Sequence, residues 1–140
     1  MYIFSIHQTN FTDGKDSNAV LNLSFDLALA IIDYCEQLES HKKYVISRQL
    51  LKSGTSIGAN ISEAQSPESN YDFIHKLKIA DKETRETVYW LKLCQRSDNY
   101  PFDEKLLNQV KEIEKLLSKI ISSAKKKNRG LRGFLFNLFY

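Results

Sequence analysis

Apolar residues recur along this chain at spacings of three and four over four long stretches, the period of one buried helical face. The first stretch runs from about Ser24 to Ser40, with Leu21, Phe25, Ala28, Ile32 and Cys35 on one stripe and Ile31 and Leu38 flanking it. Ser24 has the chemistry of an N-cap. The second runs from about Tyr44 to Gln65, with Ile46, Leu50, Gly54, Ile57, Ile61 and Ala64 on its stripe. Ser66-Pro67-Glu68-Ser69 closes it, because proline cannot continue the hydrogen-bond ladder and disfavours helix in the residue before it.

The third stretch, from about Glu68 to Ser97, places Phe73, Leu77, Ala80, Thr84, Thr87, Leu91 and Cys94 at strictly alternating steps of four and three, a seam of coiled-coil type. The fourth follows Asp98-Asn99-Tyr100-Pro101, with Asp103 as its cap and Leu106, Val110, Ile113, Leu117, Ile120 and Ala124 on its stripe. Four amphipathic helices with short connections predict an all-α, antiparallel up-down-up-down four-helix bundle. The bundle spans 18–129. Residues 1–17 and 130–140 read as aromatic-rich N- and C-terminal extensions with neither a helical stripe nor the polarity of a solvated tail. Phe134, Leu135, Phe136, Leu138, Phe139 and Tyr140 are costly to leave in water, so they are expected to dock on this chain or a neighbour.

Composition agrees with one globular domain: 140 residues, 42% hydrophobic and 26% charged, with only 5 Gly and 2 Pro. Charge changes the picture more. From Lys119 onward the chain carries Lys119, Lys125, Lys126, Lys127, Arg129 and Arg132 and no acid, whereas the net charge of the whole is only +3. A mildly acidic body with a basic end suits an anionic partner, nucleic acid above all. The same cations would also complement the C-terminal dipole of the last helix.

Cys35 and Cys94 fall on apolar faces without CxxC or Cys/His spacing, which favours buried free thiols over metal or redox chemistry. The opening MYIFSIHQ has neither a basic leader nor a long apolar run, and GFLFNLFY is shorter than the ~20 residues of a membrane span. A cytoplasmic protein that does not enter the membrane is expected.

On the second helix Gln49, Ser56, Asn60 and Glu63 share one edge of the core face, within roughly 60° at 100° per residue. The matching edge of the third helix carries Lys76, Glu83 and Glu86. A half-buried polar network between the two helices is expected from this pattern. Three glutamates could hold metal in a ferritin-like bundle, but that site needs Glu-x-x-His on two helices, and no such spacing is present. His75 lies away from the core face, and His7 and His41 lie outside the helical faces. GTSIGAN lacks the lysine of a phosphate-binding loop, and no Ser/His/Asp set has credible order. A non-enzyme without cofactor or metal is expected. Gly54 and Gly58 offer a surface without bulk; with Tyr89 and Trp90 on the next helix they suggest a subunit interface.

The runs QLLKSGTSIGANISEA (Gln49 to Ala64) and DFIHKLKIADKETRETVYWL (Asp72 to Leu91) resemble the bacterial four-helix-bundle proteins related to the 23S rRNA intervening-sequence protein. The likeness extends from SFDLALAI (Ser24 to Ile31) through the third helix, with the fourth agreeing in pattern alone. The resemblance implies a ring-like homopentamer. Some family members are encoded within ribosomal RNA genes, and a related bundle is the accessory protein of diversity-generating retroelement reverse transcriptases. No catalytic residue carries over from the family. The structural positions Gln49, Ser53, Gly54, Asn60, Glu63, Glu83 and Glu86 do. Two functions are therefore expected in order: an oligomeric nucleic-acid-associated module acting on RNA or an RNA–protein complex through its basic end, with a protein such as a reverse transcriptase as a further partner; or a protein-interaction scaffold that docks its partner through the aromatic tails.

Overall fold

The computed structural model of the chain describes residues 14–139, with side chains at 19–131, 137 and 138. Its elements are α1 (Gly14–Ser40), α2 (Tyr44–Ala64), α3 (Asn70–Arg96) and α4 (Glu104–Phe139). Each helix packs on its sequence neighbours, and α1 also packs on α4, closing the square of an all-α four-helix bundle. The first 13 residues of the N-terminal extension lie outside the described part.

The turns follow from local chemistry. At the end of α1 the Lys42 amide bonds to the Glu39 carbonyl and the Lys43 amide to the Leu38 carbonyl, both at 2.8 Å. This pairing needs the intervening residue in the left-handed region, and Lys42 adopts it at φ 60° in place of the usual glycine. Ser69 caps α3 by accepting from the Asp72 amide at 3.0 Å, while the Asp72 carboxylate accepts from the Glu68 amide at 3.1 Å. Asp103 caps α4 through the Lys105 amide at 2.9 Å.

The stripes expected on the last three helices are the buried ones, apart from half-buried Ile46. Leu50, Gly54, Ile57, Ile61 and Ala64 face inward on α2, the whole 73–94 seam on α3, and Leu106 through Ala124 on α4.

On α1 the structure differs from the sequence expectation. The buried stripe is Val20, Ser24, Leu27, Ile31, Tyr34, Cys35 and Leu38, whereas Phe25 is 65% exposed and Ile32 40%. The helix is apolar on nearly every side between Leu21 and Ile32, so periodicity alone selects no face. Packing against α2 selects it: a Cβ on Gly54 would lie 2.8 Å from Ile31 Cγ1, and one on Gly58 would lie 3.3 Å from the Ser24 carbonyl oxygen. Ser24 is accordingly not an N-cap. It lies mid-helix, fully buried, with its hydroxyl donating to the Leu21 carbonyl at 2.8 Å. At the far end, the Tyr34 hydroxyl donates to the Pro101 carbonyl at 2.6 Å and ties α1 to the start of α4.

The second difference is at the C-terminus. Residues 130–139 are not a separate irregular tail but the last turns of α4, a single helix of 36 residues.

Candidate nucleic-acid interface

These basic residues all lie on α4, from Lys119 onward. Lys119, Lys125, Lys126, Lys127 and Arg129 are exposed; the side chain of Arg132 is outside the described ones. Ile120, Ile121 and Ala124 are buried against the other helices and define the inward side. At about 100° per residue, Lys119 and Lys126 fall opposite that side, Lys125 and Arg129 on one flank and Lys127 on the other. The cations therefore wrap the helix rather than form one flat stripe, and no acidic residue follows Glu114 on it.

The helix outruns the bundle. Asn70, the first residue of α3, donates from Nδ2 to Asn128 Oδ1 at 3.3 Å, so Asn128 marks the level where α3 begins. The 11 residues from Arg129 to Phe139 continue beyond it for about 16 Å at 1.5 Å per residue. The basic residues sit on both sides of this exit.

The polar edge predicted between α2 and α3 is looser than a buried network. Lys76 Nζ pairs with Glu63 Oε2 at 2.5 Å, but Glu63 keeps 59% of its side-chain surface in water. Ser56 and Asn60 bond to carbonyls of their own helix, those of Lys52 at 2.6 Å and Ser56 at 2.8 Å. Glu86 accepts from Trp90 Nε1 at 3.2 Å on the α3 surface. Partial burial raises the Glu83 carboxyl above the ordinary range, Glu86 adds to the rise, and Lys52 opposes it. Gln49 is half-buried on α2.

The true buried polar contacts lie one position inward. Ser53, Thr84 and Thr87 are fully buried, with Ser53 and Thr87 hydroxyls 3.0 Å apart across the α2–α3 seam. Ser47 bridges α2 to α1: its hydroxyl lies 3.2 Å from the Cys35 carbonyl and 3.1 Å from Glu39 Oε1, and the Cys35 thiol returns to the Ser47 carbonyl. Thr84 and Thr87 were legible as members of the α3 seam and Ser53 only through the family resemblance, while Ser47 was hidden by a small, polar side chain that no hydropathy pattern marks.

Of the residues assigned to a subunit interface, Gly54 is buried against α1 and belongs to this chain's own packing. Gly58 also approaches α1, but it lines an open groove of about 730 Å³ between α1 and α2 with Phe25, Ala28, Thr55 and Ala59. Tyr89 is 57% exposed on α3 and stacks edge-on against Trp90 with ring centres 5.1 Å apart. Among the described residues no group of three or more His, Cys, Asp or Glu side chains is placed to hold a metal ion, and no helix is long and apolar enough to cross a membrane.

The family model of the 23S rRNA-intervening sequence protein matches residues 16–119. The chain belongs to that family. A crystal structure of a protein of unknown function from the S23 ribosomal protein family of Bacteroides thetaiotaomicron is 44% identical to it, with a TM-score of 0.73. The alignment covers 98% of that protein but 76% of this chain. No curated protein matches. Within this member of the 23S rRNA-intervening sequence family, Lys125, Lys126, Lys127, Arg129 and Arg132 all lie past the last residue that the family model matches.

Proposed function

We propose that this member of the 23S rRNA-intervening sequence family is a non-enzymatic, oligomeric module that binds RNA through the basic second half of α4. The observation that carries the proposal is the run of exposed cations Lys125, Lys126, Lys127 and Arg129 at the helix exit, with exposed Lys119 further back on the same helix and no acidic residue in the chain after Glu114. Phosphates attract such a cluster without regard to sequence, and the release of counterions makes the binding salt-dependent. The family's association with 23S rRNA favours RNA as the ligand.

Self-association is part of the same reading. Phe25 and Leu29 on α1 and Tyr89 on α3 leave apolar surface on different faces of one bundle, at 65%, 50% and 57% exposure. Two unlike patches can join copies head to tail, an arrangement that forms a ring when the rotation between copies closes; the family resemblance points to a ring of five. Each added copy multiplies the local density of cations.

The test is a salt titration of binding to a labelled RNA hairpin and to duplex DNA, for the native protein and for Lys125→Gln/Lys126→Gln/Lys127→Gln. The native protein should lose affinity with a log–log slope of about −0.9 per phosphate neutralised on duplex DNA and about −0.7 on single strands. The triple variant should bind more weakly and with a flatter slope, at unchanged helicity and oligomer mass. Equal binding by the two would move the interface off α4, and no binding by either would favour a protein-docking scaffold. Light scattering that gives 16.2 kDa would exclude the oligomer.

A further inference from the structure

We infer that Tyr71 and His75 on α3 form a base-stacking platform beside the cationic end of α4, and that the ligand held there is single-stranded RNA rather than duplex. The inference rests on the RNA reading above and names the kind of RNA that reading leaves open.

The outer face of α3 carries a line of aromatic and basic residues. Tyr71, His75, Lys78 and Lys82 follow one another at steps of four, three and four, which puts them on one side of the helix. All four are exposed, on the side turned away from Phe73, Leu77 and Ala80 in the core. The Tyr71 and His75 rings lie parallel, with 5° between their planes and 6.1 Å between their centres. Tyr71 keeps 78% of its surface in water, so its ring adds little to the core and stays open to a ligand. Lys78 and Lys82 join no ion pair among the described residues. Arg85 ends this run of free cations, because it pairs with Asp81 at 3.1 Å and with Glu114 at 3.8 Å. The acid beside the platform, Asp72, turns about 100° away from Tyr71 and accepts from the Glu68 amide.

Two contacts set this line against the basic residues of α4. Asn70 bonds to Asn128, so Tyr71 lies at the level of the helix exit. Arg85 reaches Glu114, and Lys125 and Arg129 fall about 20° and 60° from Glu114 round α4 at 100° per residue. Both cations are therefore on the flank of α4 that adjoins α3. A strand whose phosphates meet Lys125 and Arg129 can lay a base on Tyr71 and continue past Lys78 and Lys82. Tyr89, which serves self-association in the reading above, is about 27 Å farther along α3 and does not compete.

The aromatic pair selects the ligand. Cations alone attract the phosphates of duplex and single strand alike. Bases in a duplex are already stacked on one another, and only an unpaired base can lie on a protein ring. Exposed rings between cations are the combination that holds single strands with little regard to sequence.

Fluorescence anisotropy with an oligouridylate, which forms no duplex with itself, and with a fully paired RNA of the same length tests this. Tyr71→Ala should bind the oligouridylate about fivefold or more weakly, with duplex binding, salt slope and helicity unchanged, because the ring stacks without neutralising a phosphate. Tyr71→Phe keeps a stacking face and should bind as the native protein does. Lys78→Gln/Lys82→Gln should instead flatten the salt slope. Equal single-strand binding by the native protein and Tyr71→Ala would overturn the inference, as would a loss that is the same for duplex. The two readings fail separately. If Tyr71→Ala weakens single-strand binding and Lys125→Gln/Lys126→Gln/Lys127→Gln does not, the platform stands and the α4 site falls; a native protein that binds neither RNA overturns both.

Discussion

The hydroxyls of Thr87 on α3 and Ser53 on α2 meet 3.0 Å apart in the middle of the bundle, and neither side chain reaches solvent. The Thr87 hydroxyl also lies 2.8 Å from the carbonyl of Glu83, one turn back, whereas among the described residues the Ser53 hydroxyl has one further neighbour within bonding distance, the Leu50 carbonyl at 3.5 Å. The pair joins two helices whose other core residues on this seam, Leu50, Ile57, Ala80 and Leu91 among them, are apolar. A shift of either helix along its axis would strand one or both hydroxyls without a partner, so the pair opposes slippage in a way that leucine packing does not.

Thr87→Val should destabilise the protein by about 1–3 kcal/mol, because Ser53 keeps only a long intrahelical contact. The double variant Ser53→Ala/Thr87→Val should recover much of that loss, since both buried partners are gone. Urea denaturation of the four proteins measures the coupling. A double variant that loses the sum of the two single losses would show that the hydroxyls act separately.

Glycines at two places on the fold should respond in opposite directions to alanine. At Gly54 the new methyl would press Ile31 at 2.8 and 2.9 Å, contacts that a filled core cannot absorb without moving α1. Overpacking of about 1–3 kcal/mol should outweigh the ~1 kcal/mol gained in helix propensity, and the melting temperature should fall. A methyl at Gly130 meets nothing within 4 Å, so Gly130→Ala should raise the helicity of the last turns of α4 without loss of stability.

The two cysteines should be inert in the native protein. Burial pushes the Cys35 thiol up to about 11, with the Ser47 hydrogen bond opposing the rise and Glu39 adding to it. Burial also raises Cys94, which the hydrogen bond with Tyr34 opposes. Thiolate is the reactive species, so at mildly alkaline pH a thiol reagent should modify neither residue at a rate resembling that of a free cysteine. Denaturation in urea should expose both to stoichiometric labelling. Rapid labelling of the folded protein would contradict the packing around Tyr34.

Glu83 sets a pH dependence of known sign. Its folded carboxyl holds a proton more tightly than the unfolded one, through burial first and Glu86 second. The charged form is therefore disfavoured in the fold, and its contribution to stability is lost as pH rises through the raised value. Glu83→Gln should melt higher than the native protein at neutral pH, and the difference should vanish below the ordinary carboxylate range. Differential calorimetry at two pH values measures it.

The 73–94 seam of α3 and the 106–124 stripe of α4 were determined by sequence alone, because on each helix the steps of three and four run unbroken along one line and only one rotation about the axis buries the whole of it. The break at Ser66–Ser69 was legible from Pro67 and the start of α4 from Asp103, whose side chain bonds the Lys105 amide; the cap that Ser69 places on α3 was not. The face of α1 was not. With Phe25, Leu29 and Ile32 as apolar as Leu27 and Ile31, the choice was made by shape, through the glycines of α2 that admit Ile31 and the Ser24 backbone. The polar edge on α2 and α3 was displaced by one position because a wheel measures angle and not depth. Long side chains such as Glu63 and Lys76 meet at the rim, and only the short Ser53 and Thr87 fit between closely packed backbones. The continuation of α4 past Asn128 also had to come from three dimensions. Two glycines and a run of aromatics contradict helix locally, and whether they are carried into one depends on how far the preceding turns are anchored by the bundle.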